Sequence, residues 1–152
     1  MLLGTAMCLS SVAGGAPAID GNYSLTAETV VHAESSAGNY DRTLNTELRA
    51  SVMRSGAGVS IEIRRDDHIC VLRGSLAGTN VTFNQGQQCP QSIGGPGFQA
   101  DLAGTLTSGS ATVGNNTLTL STKWDVRGVV KLGPVSIPVT GTVSTVATGS
   151  KG

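Results

Sequence analysis

The chain predicts an all-β fold: an antiparallel meander of about eight strands, closed or partly open as a barrel, with a β-sandwich as the alternative. Gly, Thr, Ser and Val are plentiful in the 152 residues and charged residues make up only 13%, a mixture that suits strands and turns and not helices. Apolar and polar residues alternate with period two over most of the length. Turn signals recur about every 8 to 12 residues, the spacing of an all-β domain. Short consecutive connections favour a meander, which at this length closes most simply on itself.

The alternation begins at Tyr23-Ser24-Leu25-Thr26-Ala27-Glu28-Thr29-Val30-Val31 and resumes at Leu48-Arg49-Ala50-Ser51-Val52, with a loop at Ser35–Asn39 between them. Val59, Ile61 and Ile63 share one face while Ser60, Glu62 and Arg64 take the other, as in a strand with one wet side. Ser55–Gly58 and Arg65–His68 read as short turns, so the strands they join are antiparallel.

The segment from Cys70 to Cys89 reads as a hairpin. With the turn at Thr79-Asn80, Leu76 faces Phe83, Leu72 faces Gln87 and Cys70 faces Cys89, all on one sheet face. Opposed strand residues lie about 4.5 to 5.5 Å apart at Cα, within disulfide range. A bulge at Gly86 would shift this register by one, and Pro90 is expected to end the strand. Zinc would need further ligands, for which only Asp66, Asp67 and His68 lie near, and a redox couple would more typically show C-x-x-C. A structural disulfide is the expectation.

Beyond this, Ile93-Gly94-Gly95-Pro96-Gly97 reads as a flexible link. Phe98, Ala100, Leu102, Gly104 and Leu106 then form a stripe, with turns expected at Ser108-Gly109-Ser110 and Gly114-Asn115-Asn116. Leu118, Leu120, Thr122, Trp124 and Val126 make the next stripe, and Val135, Ile137, Val139, Gly141, Val143 and Thr145 the last. Pro138 cannot donate to a ladder and belongs at an edge or bulge.

Residues 1–18, MLLGTAMCLSSVAGGAPA, read as a signal peptide: a short apolar run followed by Ala16-Pro17-Ala18, after which signal peptidase would cut. The first basic residue is Arg42, so the leader is expected to be truncated at its N-terminus. Lipid anchoring at Cys8 is the alternative use of the same segment. Residues 19–152 then form a single extracytoplasmic domain (periplasmic, outer-envelope or secreted), a setting in which Cys70 and Cys89 would be oxidised. The segment is too short to span a bilayer, and aromatic residues, at 3%, are too few for the girdles of a transmembrane barrel.

Gly21-Asn22-Tyr23, opening the first strand, resembles the G-x-W that opens lipocalin-like barrels, with Tyr in place of Trp. The resemblance implies a small exported β-barrel whose first-strand aromatic packs across the closed end under a basic side chain, a role open to Arg127 or Lys131.

Ten basic residues balance ten acidic ones, so bulk charge draws in neither nucleic acid nor anionic lipid. The nucleophile, phosphate-loop and zinc-protease motifs are missing. Of the two histidines, His68 beside Asp66-Asp67 could serve a hydrolase, but a polar turn is the plainer reading. The expected function is therefore non-enzymatic and needs no cofactor or metal. It is the binding of a small apolar or amphipathic ligand, in a pocket drawn from Phe83, Phe98, Leu102, Leu120 and Trp124. A structural or adhesive domain of the cell envelope, with a packed core, is the alternative.

Overall fold

The computed structural model describes residues 19–65, 68–95 and 98–152, with side chains described throughout except at 92–95 and 98–99. The predicted leader and the centre of the Arg65–His68 turn lie outside the described residues.

Among the described residues nine strands make a single antiparallel sheet: β1 (Gly21–Ser35), β2 (Gly38–Ser55), β3 (Gly58–Arg65), β4 (His68–Ala77), β5 (Asn80–Phe83), β6 (Gln88–Gly95), β7 (Phe98–Val113), β8 (Thr117–Leu132) and β9 (Val135–Lys151). Their spatial order is β5-β4-β3-β2-β1-β9-β8-β7-β6, and β5 also pairs with β7. That extra pairing closes β1–β5 and β7–β9 into a ring of eight strands, with β6 as a ninth strand along β7. Two meanders, β1 to β5 and β6 to β9, are thus joined side to side. No helix among the described residues is long and apolar enough to cross a membrane.

The period-two alternation decides what faces inward. Leu25, Val52, Ile61, Leu72, Val81 and Leu118 are buried inside the ring, and their chain neighbours face out. Close curling needs glycine. A Cβ on Gly149 or Gly141 of β9 would collide with the backbone of β1, at Ser24 O and His32 O respectively.

The Cys70–Cys89 pair is joined, at a Cα separation of 5.6 Å, but not through the expected hairpin register. Gly78, at φ +66°, opens a two-residue turn with Thr79, so Ala77 faces Asn80 and Gly74 faces Phe83. The ladder stops there. The chain leaves β4 after Phe83, and Cys89 returns on β6, opposite Gly104 of β7. The disulfide therefore ties two strands that share no backbone ladder. Beside it, the Gln87 side chain stands in for a strand: its Oε1 accepts from Arg73 N and its Nε2 donates to Arg73 O, both at 2.8 Å.

Three further expectations need correction. Ile93–Gly95 belongs to β6, and Pro90 sits inside that strand opposite Ala103. β6 is outermost in the sheet order, so one of its sides has no ladder to lose to a proline. Ser108-Gly109-Ser110 is not a turn; β7 runs through it with a register shift between Leu106 and Ser108. The inward phase moves there from Ala100, Leu102, Gly104 and Leu106 to Gly109, Ala111 and Val113, and such a break in alternation mimics a turn. Pro138, by contrast, faces Val129 of β8 and lies just beyond the last β1–β9 pair, Ser35–Val139.

Two measurements follow. Gly149→Ala should lower the unfolding free energy by about 1 to 3 kcal/mol through overpacking, seen as a lower urea midpoint at unchanged slope. Replacing both Cys70 and Cys89 by Ser should cost about 3 kcal/mol in the same assay, the loop-closure value for this separation.

Candidate functional site

Three inward threonines stand in a row across adjacent strands. Thr29 of β1 faces Thr145 of β9, and Thr145 faces Thr122 of β8. Thr29 and Thr122 are only 5% and 4% exposed, the two buried polar side chains among the described residues in an otherwise apolar core. Burying hydroxyls among aliphatic groups is costly unless they are hydrogen-bonded. Here they are: Thr29 Oγ1 and Thr145 Oγ1 share a hydrogen bond of 3.0 Å, and Trp124 Nε1 donates to Thr122 Oγ1 at 3.0 Å.

The row forms the polar side of a half-open cavity of about 90 Å³ that reaches between the inward side chains. Leu48, Ile63, Leu120 and Trp124 supply apolar walls, and Arg65, His68 and Gln91 add polar groups to the lining. Cys70 and Pro90 line it too, so the cavity abuts the seam that the disulfide spans. The arrangement suits a small molecule with an apolar body and a polar end.

The pocket expected from the sequence divides. Leu120 and Trp124 lie on the cavity wall. Phe83 and Leu102 are each 3% exposed in the packed core and do not line it; Phe83 instead packs near Gly109, where a Cβ would come within 3.0 Å of its ring. The Phe98 side chain lies outside the described residues. Thr29, Thr122 and Thr145 were missed as site residues, although each interrupts an apolar stripe, which is the available signal. His68 faces Arg65 across the β3–β4 ladder, and both line the cavity. Its neighbours Asp66 and Asp67 are outside the described residues.

A second concavity, of about 230 Å³, opens near the β1–β2 turn between Ala33, Tyr40, Ala100, Val130 and Val139. On the outer face, His32 Nδ1 and Asp41 Oδ1 are 2.5 Å apart, but both side chains are more than 60% exposed and neither lines a cavity described here. Among the described residues no group of three or more His, Cys, Asp or Glu could hold a metal ion.

At the N-terminal end of β1, Tyr23 is buried and donates its hydroxyl to Ile19 O at 2.8 Å. The basic side chain over its ring is Lys151, with Nζ 5.6 Å from the centroid, and not Arg127 or Lys131. Gly21 makes room for it: at φ +146°, a Cβ there would come within 2.9 Å of Lys151 Cε. Burial, aided by the charge of Asp20, raises the Tyr23 pKa above its ordinary value.

No known protein family matches the chain, and no curated protein matches it. Among solved structures it is similar to the ywiB protein from Bacillus subtilis, at 11% identity and a TM-score of 0.31 over 92% of this chain and 98% of that one. A likeness of that size carries no argument about activity.

The folded state favours the protonated form of Tyr23, so its contribution is complete below the unfolded phenol's pKa, about 10, and is lost as pH rises through the higher folded value. Tyr23→Phe should cost about 1 kcal/mol near neutrality through the lost hydrogen bond. It should also flatten the fall in stability above about pH 10, as checked by denaturant melts across an alkaline series.

Proposed function

We propose that this chain is an extracytoplasmic, non-enzymatic binding module that holds a small amphipathic molecule in the cavity between the threonine row and Trp124. The observation that carries the reading is a half-open space walled by Leu48, Ile63, Leu120 and Trp124 and bordered on one side by the Thr29 and Thr122 hydroxyls, both buried. A merely packed interior would fill such a space with side chains, as the Phe83 region does. The joined cysteines are compatible with an oxidising compartment, and the Gly21-Asn22-Tyr23 opening supports a lipocalin-like relationship.

The envelope structural domain is the second reading. It draws on the tight packing around Ile61 and Leu72, both fully buried. Occupancy of the cavity separates the two.

Protein isolated gently from an oxidising compartment should carry a bound small molecule in native mass spectrometry. Ile63→Phe, which pushes a ring into the cavity, should remove that extra mass while leaving the far-UV spectrum unchanged. An empty wild-type protein, with the single Trp124 indole insensitive to small apolar probes, would favour the structural reading.

A further inference from the structure

Resting on that reading, we infer that the ligand presents a neutral hydrogen-bond-accepting oxygen, a carbonyl, to Thr122 and Thr145. Each threonine hydroxyl has one hydrogen to donate and lone pairs to accept with. Trp124 Nε1–H can only donate, so in the 3.0 Å contact Thr122 Oγ1 is the acceptor. The Thr122 hydroxyl hydrogen is left over. In the Thr29–Thr145 contact only one of the two hydroxyls donates, so a second hydrogen is left over there. Among the described residues no acceptor takes either one.

Both leftover donors belong to the cavity side of the row, since Thr29, Thr122 and Thr145 all line it. Either hydroxyl can donate the shared bond; when Thr29 does, the free hydrogen is on Thr145, the register partner of Thr122 on β8 and β9, about 5 Å away at Cα. A single carbonyl oxygen has two lone pairs, enough to receive a hydrogen from each. An alcohol would spend its own hydrogen where donors are already in excess. A carboxylate would bring a full charge against neutral hydroxyls and aliphatic walls, at a large desolvation cost. Arg65 also lines the cavity, but the two free hydroxyl hydrogens are in the threonine row and not beside Arg65 in the chain. The match is therefore a short ketone, ester, lactone or amide with its alkyl portion against Leu48, Ile63 and Leu120.

The test compares 2-pentanone with 2-methyl-1-pentene, which keeps the shape but replaces the oxygen by a methylene group. Both are titrated into the full chain with its disulfide intact, following the one indole N–H resonance, that of Trp124. The ketone should bind about tenfold more tightly than the alkene, since a site with buried donors discriminates against an analogue that leaves them unpaired. In Thr122→Val the ratio should fall to about threefold, since one donor remains, while alkene binding persists, and Thr122→Ser should restore it. Thr122→Val also strips Trp124 Nε1 of its acceptor and can unfold the site, so Thr145→Val serves as the second variant, with the same expected loss of preference. Equal affinities in wild type, or an undiminished preference in both valine variants, would overturn the carbonyl assignment and leave the binding module standing. Failure of both probes to bind would overturn the assignment together with the binding module.

Discussion

Closure through β5 is the constraint on which the interior depends. This strand, Asn80–Phe83, meets β4 over four residue pairs and β7 over three, and without it the sheet would end in two bare edges on one side. The chain cannot keep both ladders for long, because β7 next takes β6 as its neighbour. Above Phe83 the wall is continued by other means: the Gln87 amide on the Arg73 backbone, the hydrogen bond from Leu106 N to Gln87 O, and the Cys70–Cys89 link. A ladder sets strands about 4.8 Å apart and leaves little between them. A seam closed by side chains need not fill as tightly, and the cavity lies against this seam.

The strands with unbroken alternation were legible from sequence because inward and outward residues differ in kind. Leu118 to Val126 is the clearest case, and the Gly114-Asn115-Asn116 turn before it was legible for the same reason. The cysteine pairing was legible as a partnership but not as a register: both thiols do face inward, yet Gly78 moves the turn by one residue and β6 departs to another neighbour. β6 itself was hidden, since Pro90, Gly94 and Gly95 are residues that usually mark a loop and are tolerated here on an outermost strand. The bulge at Thr107 was hidden because only pairing with β8 distinguishes an extra residue from a turn.

The threonine row shows where reading by type of residue reaches its end. Threonine favours strands on either face, so Thr29, Thr122 and Thr145 look like surface residues until the alternation is traced around the closed ring. Tracing alone puts each one inside. What it does not supply is adjacency, which comes from the β1–β9 and β8–β9 registers. Three separate interruptions of three apolar stripes then become one polar patch.

The pairing of β1 with β9 joins residues more than a hundred positions apart in the chain, from Tyr23 with Lys151 to Ser35 with Val139. Contacts of such long sequence separation are slow to form, because chain entropy must be lost before they contribute anything. During synthesis β1 can complete its ladder with β2 early, yet its other edge stays bare until the last seventeen-residue strand, β9, has been delivered. Folding of this topology is therefore gated by the arrival of its final strand, and the exposed edge of the first is the surface on which premature self-association would begin.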